Sequence, residues 1–243
     1  MSALIAGHMV MASASAIYGF YRILRPFRIG IYGPSMVGKT TLDQYLTVPG
    51  DIDPIPLSLR TAHPKAKTQT GYRKIKETRK QLRLIKVKKP VTTTDIGGDS
   101  IFRNLWVDDM FSRNVELVIY MIDHRALTSP QFVSDAVAGL TYLVDNIVKK
   151  DVSKNISRKA KRRVKNYRPK LFCLMINKMD IWWDERAAYL WKMGIQKEHP
   201  IVRPFRESLK RLRKAGYRAE IMAMSSQHGI NVEKGLIELL DSL

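Results

Sequence analysis

The sequence predicts an α/β domain: a mostly parallel six-stranded sheet with helices on both faces, preceded by an N-terminal hydrophobic helix. Three observations carry this expectation. After Pro26, short apolar runs alternate with amphipathic stretches. The first apolar run passes directly into a glycine-bearing loop and then into a helical stretch. A later run ends in the polar quartet Asn177-Lys178-Met179-Asp180, at the strand end where open α/β sheets bind ligands.

The expected strands are Phe27–Tyr32, 82–87, Val91–Asp95, Leu117–Ile122, Leu171–Ile176 and Ala219–Ala223. The clearest helix spans 130–149, where Val133, Ala136, Val137, Leu140, Val144 and Ile147 recur at three- and four-residue spacing. A final helix over 231–243 carries Val232, Leu236, Leu239 and Leu240 on one face. With 243 residues, 45% of them apolar, the chain is long enough to bury a core without metal or disulfide support. Its one cysteine, Cys173, lies in an apolar run and reads as a core thiol.

Charge is distributed unevenly. The chain has 42 Lys+Arg against 22 Asp+Glu, a formal net charge of +20. Residues 60–89 hold twelve bases and one acid, and residues 149–170 hold eleven bases and one acid. The remainder, 19 bases against 20 acids, is near neutral. A single charge run is usually a solvated face, but two of this density point to an anionic partner, either lipid or nucleic acid. Only Tyr72 and Tyr167 interleave the runs, so stacking on nucleic-acid bases has weak support and nucleic acid is the less favoured partner.

Residues 1–21 carry no Lys, Arg, Asp or Glu, and Arg22, Arg25 and Arg28 follow at once. The stretch is barely long enough to span a bilayer core, and Ser2, His8, Ser13 and Ser15 interrupt it. It suits a spanning anchor, an interfacial amphipathic helix, or a helix packed on protein. The trailing arginines would hold the remainder on the cytoplasmic face of a membrane. The organisation expected is therefore an anchor segment over 1–25 and one domain over 26–243, with basic insertions at about 60–82 and 149–170.

Gly33-Pro34-Ser35-Met36-Val37-Gly38-Lys39-Thr40-Thr41 matches G-x-x-x-x-G-K-[ST] in its strand-loop-helix context. Such a loop cradles phosphates with backbone N–H groups and a helix N-terminus. Lys39 would neutralise the β and γ phosphates, and Thr40 would ligand Mg²⁺ through its hydroxyl. In Asn177-Lys178-Met179-Asp180, the aspartate can accept from the N1–H and 2-amino group that guanine has and adenine lacks, while the Lys178 stem can lie along the purine. GTP or GDP is the nucleotide expected.

With these motifs the chain resembles the Ras-like small GTPases, a P-loop NTPase family, over about residues 26–243. The resemblance implies a G domain. Asp95-Ile96-Gly97-Gly98 is similar to the family's D-x-x-G, which implies that Asp95 reaches Mg²⁺ through water and that the Gly98 amide binds the γ-phosphate. Ser225-Ser226-Gln227 is similar to S-A-K, with Ser226 in place of an alanine that acts through its N–H on the guanine O6. The segment from Asp95 to Trp106 looks like that of Arf, Arf-like and Sar proteins.

Three departures matter. The family glutamine after Gly98 is Asp99, whose negative charge near the γ-phosphate implies slow intrinsic hydrolysis. The stretch from Lys39 to Asp95 is longer than in the family; Thr68 and Thr70 are the candidates for the switch threonine on Mg²⁺, with Thr61 a weaker third. Residue 2 is Ser2 rather than the glycine of a myristoylated protein, and the C-terminus offers no prenylation cysteine, so the hydrophobic leader would take over attachment. That layout resembles the signal-recognition-particle receptor β subunit.

The leading expectation is a membrane-attached regulatory GTPase that binds GTP and Mg²⁺ and works through an effector and regulators whose identity the residues do not supply. A constitutively GTP-bound receptor or scaffold subunit, and an RNA- or ribosome-associated GTPase, are the alternatives. Trp182, Trp183, Tyr189 and Trp191 fit either helix-on-sheet packing or a partner patch.

Overall fold

The computed structural model describes residues 27–47, 67–71, 91–150 and 156–241. The leader, the expected strand over 82–87 and most of the first basic segment lie outside the described residues. In chain order the elements are β1 (Phe27–Tyr32), α1 (Lys39–Thr47), β2 (Lys67–Gly71), β3 (Val91–Asp95), α2 (Arg103–Arg113), β4 (Leu117–Ile122) and α3 (Arg125–Thr128). They continue as α4 (Pro130–Lys149), α5 (Arg158–Val164), β5 (Leu171–Ile176), α6 (Met179–Trp182), α7 (Glu185–Lys192), α8 (Arg206–Lys214), β6 (Ala219–Ala223) and α9 (Val232–Asp241).

The strands form one sheet in the order β2-β3-β1-β4-β5-β6. All neighbours run parallel except β2, which lies antiparallel to β3 at the edge, with Lys67 opposite Asp95 and Gly71 opposite Val91. The polar edge strand Lys-Thr-Gln-Thr-Gly was not among the expected strands. The central strands β4 and β5 read as unbroken apolar runs because helices cover both faces, and every residue of each is buried. Cys173 lies there with no exposure, and burial pushes its thiol well up, so it is inert packing.

Helix α4 begins where expected. Ser129 accepts from the Phe132 N–H at 3.2 Å and Pro130 occupies the first turn. The final helix starts at Val232 rather than Asn231, because Asn231 sits at φ +59° and its amide reaches the Ala223 carbonyl at 2.7 Å. Within the second basic segment, α5 packs Ala160 and Val164 onto the core, and Tyr167 meets Phe111 of α2 edge-on at 4.8 Å. The parallel strands therefore all start at one end of the molecule and finish at the other, where the polar motifs gather.

Candidate functional site

Residues 33–38 form the bend from β1 into α1. Gly38 has φ +95°, and a Cβ there would lie 2.3 Å from Asn177 Nδ2, so only glycine allows the loop to touch the quartet after β5. Lys39, the first residue of α1, is buried and folds back across the loop; its ammonium donates to the carbonyls of Gly33 at 2.9 Å and Pro34 at 2.7 Å. Thr40 and Thr41 follow in the first turn of α1.

Asn177 binds three segments together. Its Nδ2 donates to the Val37 carbonyl at 2.7 Å and the Ser226 hydroxyl at 2.9 Å, while its Oδ1 accepts from the Ser226 N–H at 2.8 Å. In this structure the Ser226 N–H is turned to Asn177, and its hydroxyl takes part in the same clasp. Ser225 bridges to Ile230 through its N–H at 3.0 Å, which closes the loop holding Gln227. Lys178 adopts φ +56° and anchors its ammonium on Asp123 at 2.7 Å and the Met36 carbonyl at 3.2 Å, leaving the stem to cross between the loop and the quartet. Asp180 is exposed, with His228 Nε2 3.8 Å from its carboxylate.

The D-x-x-G segment reaches the same loop. Gly98 packs so tightly that a Cβ would lie 2.2 Å from the Ser35 nitrogen, and the Ser35 hydroxyl donates to Asp99 at 2.6 Å. The Gly97 carbonyl accepts from the Trp106 indole at 2.9 Å, tying this segment to α2. Asp95 ends β3; Thr68 and Thr70 lie within β2, opposite Thr94 and Thr92, and so belong to a paired strand rather than a loop.

Several contributors were not singled out in the sequence. Asp123, fully buried at the end of β4, accepts from Arg125 Nε at 2.9 Å and from Lys178 at 2.7 Å. Burial works to raise its pKa, but hydrogen bonds from Arg125 and Lys178 outweigh that and hold the carboxyl below its ordinary value. Arg125 also donates to the Ser35 carbonyl at 2.9 Å and lies over the Phe132 ring at 4.4 Å. The clue was available: Asp123-His124-Arg125 directly follows an apolar strand at the ligand-binding end of the sheet. Trp182 donates to the Asn177 carbonyl at 3.0 Å from a cluster with Trp183, Trp191 and His199, so the tryptophans buttress the quartet from beneath. Burial lowers the pKa of His199 in that cluster, and Tyr189 is left exposed.

A phosphate loop at the end of β1, an Asn-Lys-x-Asp quartet at the end of β5 and a D-x-x-G segment at the end of β3, on the other side of β1, meet at this one end of the sheet. Among solved structures, the chain is similar to the Arl6 BBS3 small GTPase from Trypanosoma brucei with bound nucleotide analogue GppNp. The TM-score is 0.51 at 15% identity, with 90% of this chain and 98% of that one covered. The fold is that of a small GTPase. The same fold relates the chain to a bacterial selenocysteine-specific elongation factor, EF-Sec, at TM-score 0.50 and 18% identity. There 90% of this chain matches but only 29% of the elongation factor's. No protein-family model matches the chain, and no curated protein matches it. At such identities the likeness is one of fold, and the small-GTPase fold gives each motif its place without assigning what it binds.

That fold implies Mg²⁺. Thr40 in the first turn of α1 and Asp95 at the end of β3 supply a hydroxyl and a carboxylate, the hard oxygen donors that this ion takes. The donor chemistry therefore fits.

Proposed function

We propose that this chain is a guanine-nucleotide-binding switch that hydrolyses GTP slowly and is attached to the cytoplasmic face of a membrane by its N-terminal segment. The observation that carries the nucleotide reading is the Asn177 clasp, which joins the quartet, the phosphate loop and Ser226 into one rigid frame. A frame of that kind holds a base and a phosphate chain at fixed separation. The relative of known structure with bound GppNp supports the same reading.

In this reading, Lys39 leaves the Gly33 and Pro34 carbonyls for the β and γ phosphates. Asp180 selects guanine by accepting from its N1–H and 2-amino group. Mg²⁺, held by Thr40 and Asp95, would offset charge on the phosphate oxygens when bound. The α1 N-terminus adds its dipole to the same end. Asp99 supplies no amide to orient water, and its carboxylate is engaged by Ser35 instead, which supports slow turnover. The same contact favours, as a second reading, a subunit that keeps its nucleotide and works without turnover.

Asp180→Asn tests base selection. Its amide can donate to the 2-oxo group of xanthine but meets the guanine 2-amino group as a second donor. GDP affinity should fall by about tenfold to a hundredfold, with xanthosine diphosphate gaining. Unchanged GDP affinity would contradict the assignment of Asp180.

A further inference from the structure

The starts of the parallel strands lie opposite the nucleotide end, and residues 156–170 of the second basic segment pack beside α2 and lead into one of those starts, that of β5. Helix α5 turns Ala160 and Val164 inward, so its outer stripe is Arg158, Lys159, Arg162 and Lys165, all exposed. It runs beside α2, from Ser157, whose N–H meets Asp108, to Arg163, which donates to the Ser112 carbonyl at 2.6 Å. Seven residues beyond Val164 the chain enters β5. Exposed Arg168, Lys170, Lys214 and Arg218 stand at the same end, where β5 and β6 begin. Among the described acids, Glu116 pairs with Arg28 and Lys170, Asp145 with Arg211 and Lys149, and Glu220 with Arg218, while Asp108 accepts the Ser157 N–H.

From this arrangement we infer that the face made by the α5 stripe and the strand-start end docks on a bilayer carrying anionic headgroups. Two observations favour lipid over nucleic acid. The aromatic rings here are not offered for base stacking: Tyr167 is buried, and half-buried Tyr217 lies under Arg168 at 5.2 Å and Lys150 at 5.9 Å. Moreover, β1 begins at Phe27 on this same end, directly after the uncharged leader and its arginines. A segment inserted in or on a membrane therefore delivers the domain with this end foremost. The nucleotide site then faces away from the lipid, open to other proteins. The inference rests on the membrane attachment proposed above, and adds to it a specific orientation and a headgroup-selective term that salt screens.

The test uses the full chain and sedimentation with vesicles of phosphatidylcholine alone or mixed with phosphatidylserine. It compares wild type, the stripe variant Lys159→Glu/Arg162→Glu/Lys165→Glu, and a charge-matched control, Lys192→Glu/Lys197→Glu/Lys234→Glu. Melting temperature and fluorescent GDP binding establish that each variant is folded. Wild type and control should bind the anionic vesicles more tightly than the neutral ones. The stripe variant should lose that increment, by about tenfold or more, while keeping its neutral-vesicle binding. A stripe variant that retains the full increment overturns the inference. Absence of binding to neutral vesicles by all three, with the increment still confined to an intact stripe, sinks the anchor reading and upholds the docking face. A structured RNA that binds wild type and not the stripe variant, with no anionic-vesicle increment in either, overturns lipid as the occupant.

Discussion

Asp123 bears on the site through two cations at once. Its carboxylate sits between Arg125, which touches the phosphate loop at Ser35, and Lys178, which touches it at Met36. Because its folded pKa lies below the unfolded one, the stability it contributes is present above about pH 4 and is lost as pH falls through the folded value. Asp123→Asn should therefore be less stable than wild type at neutral pH, with the gap closing in urea titrations below about pH 4. A pH-independent gap would mean that the carboxylate's charge is not what matters. Asp99 gives a second test at this scale. Single-turnover hydrolysis by Asp99→Gln should exceed wild type by on the order of tenfold, and equal or faster hydrolysis by wild type would remove the explanation offered for slow turnover. Lys39, Asn177 and Asp180 were legible in the sequence because each sits in a spaced motif beside an apolar strand. Asp123 and Arg125 were not, since a lone acid and a lone base have no spacing to read. The clasp on Asn177 was hidden for another reason: Ser226 acts through a contact 49 residues away in sequence.

At the scale of elements, α2 joins the D-x-x-G segment to the core. Its inner face carries Trp106 on the Gly97 carbonyl and buried Asp109, which accepts from Tyr32 of β1 at 2.7 Å and from half-buried Arg113 at 2.6 and 2.9 Å. Burial first, and the neighbouring Asp109 charge second, push the Tyr32 phenol far up, so it stays a neutral donor. Arg113→Met leaves Asp109 buried without its cation and should cost about 3–5 kcal/mol in equilibrium unfolding. A loss within the range of a surface pair would show that Tyr32 alone satisfies the carboxylate. Five of the six observed strands were legible because their burial demands apolar or β-branched runs. The sixth, β2, was not: an edge strand has one neighbour, so Lys-Thr-Gln-Thr-Gly can be polar and still pair. Thr68 and Thr70, two of the threonines considered for the switch, pair with Thr94 and Thr92 in that ladder.

For the whole molecule, the exposed bases of α5 and of the strand-start end place part of the net charge of +20 opposite the loop, quartet and D-x-x-G. Charge counts located the second basic segment in the sequence. They could not show that its helix folds onto α2, nor that its outer stripe stands at the end where the leader joins β1. At the opposite end, where loop, quartet and D-x-x-G meet, the proposed guanine selection is checked by titrating the purified chain with fluorescent GDP and ADP in the presence of Mg²⁺. GDP should bind tightly and ADP more weakly by at least about a hundredfold, because Asp180 would face no paired donors on adenine. Equal affinity for the two, or binding of neither, would contradict it.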